Sequence, residues 1–227
     1  MRKIVSIVVL IASMALLIIA IRQYSGYHQF SRYKILRSEA KSIEDAFPAL
    51  ESALLKSIGN YQNPDFYKEL GRLYLDRAIA ENKYGNADKR DAFLDKAAST
   101  IAEGIKRNPL DSRAYFDLGK VYMLYNYPLM TYAEKARQFF MEALRINPAN
   151  EFLNLNVLYF HLNQWSVLSE NEKQSVWDRL DRNVKTDDGF FGRLRNQWIE
   201  NVKTDEGLKA ILMSNPSLWE RIKGNFK

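Results

Sequence analysis

The chain of 227 residues contains no cysteine and only two histidines. Each scarcity removes a class of chemistry. Without cysteine there is no disulfide staple, thiol nucleophile or Cys-ligated zinc, although neither side of a membrane is thereby selected. His28 and His161 lie far apart in different segments. His161 falls in an apolar helical stretch, where a packed, hydrogen-bonded imidazole is expected rather than a metal ligand or a base. No serine sits in a nucleophile elbow, and no glycine-rich phosphate loop occurs. Carboxylates are interleaved with Lys and Arg, as in EALR and EKARQ, which is the pattern of a solvated helical face. The expectation is a non-enzymatic protein with no catalytic residues, no metal and no cofactor.

The formal charge of +6 invites a nucleic-acid reading until the charge is located. Residues 1–41 hold Arg2, Lys3, Arg22, Arg32, Lys34, Arg37 and Lys41 against Glu39 alone, so the whole excess resides there. The remainder carries 26 basic and 26 acidic residues and is neutral. A protein that tracks phosphates needs a basic face on its folded part, so no nucleic-acid partner is expected. The excess sits where lipid headgroups would be.

Residues 4–21, IVSIVVLIASMALLIIAI, form a charge-free apolar run broken only by Ser6 and Ser13. At about 1.5 Å per residue the run nearly spans a hydrocarbon core of roughly 30 Å. A cleaved signal peptide is the alternative, but Ser25 and Gly26 lack the well-placed small partner that a cleavage site needs. An uncleaved anchor is the preferred reading. Tyr24, Tyr27, Phe30 and Tyr33 follow it, as aromatic residues do at a membrane interface. The short positive leader favours a cytoplasmic N-terminus, whereas the basic residues from Arg22 to Lys41 pull the other way. Because long C-terminal domains translocate largely regardless of such charges, the expected topology is a single-pass protein of a bacterial inner membrane with an extracytoplasmic C-terminal domain. Its lipid contact would run through residues 4–41.

Beyond the anchor, Phe30, Tyr33, Leu36, Ala40 and Ile43 recur at helical spacing. Pro48 is expected to interrupt that helix, and a second short amphipathic segment should come next, closed by Gly59 and Asn60. This pair reads either as an N-terminal cap for the helices downstream or as a stalk that contacts a membrane partner.

The best-formed stretch is residues 111–148. Ala114, Leu118, Val121 and Tyr122 share one helical face, and Ala136, Phe140, Ala143 and Leu144 share another. Within it, Tyr115, Leu118, Gly119 and Tyr122, then Ala136, Phe140, Ala143 and Pro148, resemble the tetratricopeptide repeat, W-x2-L-G-x2-Y followed by A-x3-F and a closing Pro. An upstream copy reads Tyr67, Leu70, Gly71, Tyr74, then Ala97, Ile101, Gly104 and Pro109. In both copies Tyr replaces Trp, and the connection between the two helices is longer than in the family. The first insertion, residues 76–91, is expected to lengthen both helices; the second contains a turn signal at residues 126–128. A third, degenerate unit comes after Pro148, with a second helix expected from Ser169 and a capping box to Glu172. Three short amphipathic pieces then supply an end cap, with Thr204 as a candidate cap for the second and Pro216 in the first turn of the third.

The resemblance implies an all-α fold: a short α-solenoid of antiparallel helix pairs with an N-terminal transmembrane helix and a C-terminal helical cap. The expected organisation is an anchor at 1–22, a juxtamembrane stalk or cap at 23–61, repeats at 62–185 and a cap at 186–227. Ligand peptides in the resembling family lie along the first helix of each repeat. Carried over, that face comprises Lys68, Arg72, Arg113, Phe116, Lys120, Asn156 and Tyr159, and its mixture suits an extended or acidic peptide. The family's chaperone-tail carboxylate clamp is not reproduced, because Asp117 stands where it would want Asn. Two functions are implied. One is a membrane scaffold for a protein or peptide partner, within a bacterial envelope or polysaccharide-assembly complex. The other is an accessory subunit held in a larger membrane complex by its transmembrane helix.

Overall fold

The computed structural model describes residues 2–125, 131–202 and 204–226. Among the described residues the chain forms eleven α-helices and two short 3-10 turns, with no strand. It divides into two units, Met1–Glu142 and Ala143–Lys227.

The first unit begins with α1 (Arg2–Glu39), a single helix of 38 residues and so about 57 Å long. It is long and apolar enough to cross a membrane. Its two halves differ in surroundings: Ile7, Leu10, Ile11, Met14, Leu17, Ile18 and Ile21 are all exposed, whereas Tyr33 is 2% exposed and belongs to the core. Helix α2 (Ile43–Asn60) packs on α1. The break between them falls at residues 40–42, not at Pro48, which lies inside α2. Ser42 explains the difference: its side chain accepts from the Asp45 backbone N–H at 3.2 Å, and Glu44 and Asp45 suit the positive end of the helix. Pro48 removes one hydrogen bond from the second turn. Burial of Phe47, Leu50, Ala53 and Leu54 holds the helix together across it.

Helices α3 (Pro64–Lys83) and α4 (Ala87–Arg107) form a hairpin. Asn63 caps α3 through the Asp65 N–H at 2.8 Å, and Pro64 occupies the first helical position, where no N–H is needed. Gly85 closes the turn with φ of 72°, a left-handed conformation open to glycine without a Cβ penalty. The insertion at residues 76–91 therefore continues the helices on both sides of a tight turn. Leu70, Leu73, Tyr74, Leu94, Ala97 and Ile101 supply the shared core. Helices α5 (Ser112–Leu124) and α6 (Ala133–Ile146) come next. The turn signal at 126–128 lies outside the described residues. Phe140 packs against Phe116 at 5.3 Å, and Phe139 stacks on Tyr122 at 5.4 Å.

The second unit holds α7 (Glu151–Asn163), α8 (Glu170–Thr186), α9 (Phe190–Val202), α10 (Glu206–Met213) and α11 (Pro216–Ile222). Leu158, Leu162, Val176, Leu180, Phe190, Phe191, Leu194, Trp198, Leu208, Leu212, Leu218 and Ile222 share one core. The capping box at α8 is present in both directions: Ser169 Oγ accepts from the Glu172 N–H, and Glu172 Oε2 accepts from the Ser169 N–H. Pro216 opens α11 as expected. Thr204 does not cap α10. The preceding position is taken by Asp205, without a side-chain cap, and the Thr204 carbonyl instead accepts from Trp198 Nε1 at 2.9 Å.

Candidate partner-binding face

The side chains expected to meet a partner lie on α3 and α5 in the first unit and on α7 in the second. In the first unit they are part of a charged ladder that the carboxylates of the same helices complete. Lys68 Nζ lies 2.7 Å from Asp65 and 2.8 Å from Asp111. Arg72 donates to Asp117 at 2.5 Å and to Glu69 at 2.9 Å. Arg113 stands 3.7 Å from the other oxygen of Asp117 and stacks over Phe116 at 5.6 Å. Lys120 adds its charge beside Asp117. Tyr33 of α1 donates to Glu69 at 3.3 Å and so ties α1 to the ladder.

Phe116 occupies a different setting from its neighbours. Its ring is 4% exposed and serves the α5–α6 core. In the second unit, Asn156 is half-buried, donates to the Phe152 carbonyl at 2.8 Å and accepts from Gln197 at 3.3 Å. Tyr159 is half-buried with its ring edge-on to Trp198 at 6.1 Å.

Asp117 is the residue that sequence reasoning undervalues. In the repeat pattern it marks only a departure from a clamp, yet it is buried at the centre of the α3–α5 contact. Burial pushes its carboxyl above the ordinary carboxylate range, and Arg72, Arg113 and Lys120 draw it back only in part. Burial alone would lower Arg72, but Asp117 and Glu69 outweigh it and hold the guanidinium more firmly protonated. At Asp111 the balance differs again. Burial opposes ionisation there, but Lys68 and the N–H groups of Ala114 and Arg113 outweigh it and hold the carboxyl below its usual range.

His161 is 3% exposed with Nδ1 2.7 Å from the Val157 carbonyl, a packed core position. No cluster of three or more His, Asp or Glu side chains placed to hold a metal occurs among the described residues. Such a face can present paired charges of both signs to a partner.

The chain matches no protein-family model and no curated protein.

Proposed function

We propose that this protein is a membrane-anchored, tetratricopeptide-like helical scaffold that holds a protein or peptide partner close to the membrane. The observation that carries the reading is the pair of close helix contacts at the repeat positions. Gly71 lies against Ile101 and Gly119 against Phe140, too close in each case for a side chain on the glycine. These are the small-against-large contacts that the resembling repeat uses to build a binding face from its first helices. A second support is α1, whose exposed apolar half suits lipid while Tyr33 on its other half is buried in the core of the folded unit. An anchor of this kind fixes the unit at the surface instead of tethering it through a loose linker. In this reading Lys68, Arg72, Arg113 and Lys120, with their carboxylates, meet the partner along α3 and α5, and Phe116 supports that face from beneath. Asn156 and Tyr159 offer a contact of their own on α7 of the second unit. The protein resides in a bacterial inner membrane with its C-terminal part outside the cytoplasm, serves a cell-envelope complex and catalyses nothing itself.

Photo-crosslinking tests the face. A photoreactive phenylalanine analogue at Lys120 should capture a partner in native membranes, and the same group at Lys89 should not. Because Tyr33 is core, the anchor-free version must start near Gln23, well upstream of α3. Capture retained by that version supports the scaffold. Capture that needs α1 intact supports instead an accessory subunit joined through its transmembrane helix. Topology is read separately, by labelling single cysteines introduced into this cysteine-free chain with a membrane-impermeant maleimide.

A further inference from the structure

We propose that the end of the first unit formed by the α2–α3 and α4–α5 turns is a second membrane-contacting surface that docks onto anionic lipid headgroups. The proposal rests on the reading of α1 as a membrane anchor. It adds the α2–α3 and α4–α5 turns to that anchor.

The geometry of α1 sets the level of this surface. The apolar run ends at Ile21, and Gly26 is five residues further along the same helix. At about 1.5 Å per residue it stands roughly 7 Å beyond the hydrocarbon boundary, within a headgroup layer of roughly 5–8 Å per leaflet. A Cβ on Gly26 would lie 2.8 Å from Tyr61 Cβ, and the Ser57 carbonyl is 3.2 Å away, so the returning end of α2 is brought to that level. An open recess lined by Ile19, Arg22, Gly59, Asn60, Tyr61 and Gln62 reaches the apolar run itself.

The next turn is held at the same end. Arg107 Nη2 donates to Gln62 Oε1 at 3.0 Å, and its guanidinium lies 4.4 Å over the Tyr67 ring. Asn63 reaches back to the Tyr27 hydroxyl at 2.8 Å. Just beyond Arg107, Leu110 is 72% exposed, and on α1 Tyr24 is 74% exposed. An exposed leucine at one turn and an exposed tyrosine just past the apolar run of α1 are residue types that suit a membrane interface.

The charges select the lipid. Arg22 and Lys56 have no carboxylate partner among the described residues. The carboxylates at this end, Asp65, Glu103 and Asp111, are engaged by Lys68, Lys106 and Arg107. The cations therefore outnumber the acids, and anionic headgroups supply the missing partners.

The test uses the full chain and its lack of cysteine. Single-cysteine variants Leu110→Cys, Tyr84→Cys and Ile11→Cys carry an environment-sensitive fluorophore and are reconstituted in phosphatidylcholine vesicles with or without phosphatidylglycerol. Tyr84, in the α3–α4 turn, is as exposed as Leu110 and serves as the control. With anionic lipid, the neutral quencher acrylamide should quench position 110 about fivefold less than position 84, and Arg22→Gln with Lys56→Glu should remove that difference. Equal quenching at 110 and 84, with position 11 still shielded, overturns the docking surface and leaves the anchor standing. Free quenching at position 11 overturns the anchor and this proposal together.

Discussion

A Cβ built on Gly71 would lie 2.3 Å from Ile101 Cγ1, closer than side-chain atoms pack, so α3 and α4 touch through the absence of a side chain. Gly71→Ala must push α4 away or drive Ile101 from its rotamer, at a cost of about 1–3 kcal/mol. Gly59, in the last turn of α2, meets nothing within 4 Å. Gly59→Ala should be neutral or stabilise by up to about 1 kcal/mol through the helix preference alone. Urea denaturation followed by circular dichroism separates the two. A Gly71→Ala midpoint at or above the parent value would show that the hairpin does not need the close approach.

Ser169 starts α8 with both bonds of a capping box. Ser169→Ala should cost about 1 kcal/mol, whereas Ser169→Asp should retain most of the stability, since Asp is an equally good cap. The fluorescence of Trp177 and Trp198, both buried in the same unit, reports its unfolding. Equal losses in the two variants would mean that the cap is not what the serine contributes.

The Arg72–Asp117 pair makes the third prediction. Asp117→Ala leaves Arg72 and Arg113 beside a site that no longer holds a carboxylate, and should cost about 3 kcal/mol. Arg72→Ala strips a buried carboxylate of its nearest donor and should cost a similar amount. The double variant should lose clearly less than the two single losses combined, because the pair is then absent as a whole. Strictly additive losses in a denaturation cycle would exclude a coupled pair.

Residues disclose most readily the physics that acts between near neighbours in the chain. Helical stripes such as Ala114–Leu118–Val121 and the capping signal at Ser169 depend on positions a few residues away, and each is legible. So is the small residue at Gly71, because a repeating pattern marks it. Asp117 is not. Its significance depends on Arg72, 45 residues upstream, and an acidic residue on a helix reads as solvated until the facing helix is known. The position of the break before α2 fails for the opposite reason, since Pro48 is a strong local signal that the packing of Phe47 and Leu50 overrides. At the candidate face, the pattern locates the helix but not the rotation of each side chain about it. Phe116 is therefore grouped with Arg113 by spacing although its ring is buried.

The pH dependence of stability should expose the Lys68–Asp111 pair. Asp111 is held below its usual range in the folded chain, so the stability it contributes is present above its unfolded value of about 3.9 and is lost as pH falls through the lower folded value. Lys68 behaves oppositely. Burial works against its charge, but Asp111 and Asp65 outweigh burial and raise it, so its contribution holds below about 10.4 and is lost as pH rises through the folded value. Between those limits the contribution is flat. Asp111→Asn keeps a side-chain oxygen for the N-terminus of α5 while removing the ion pair, and should cost about 1 kcal/mol near neutral pH. Once the pH has fallen through the lowered folded value the parent carboxyl is itself protonated, and the two proteins should converge. Urea midpoints for both chains at pH 7 and in strong acid give the comparison, and a gap that persists undiminished in acid would assign the loss at Asp111→Asn to the cap and not to Lys68.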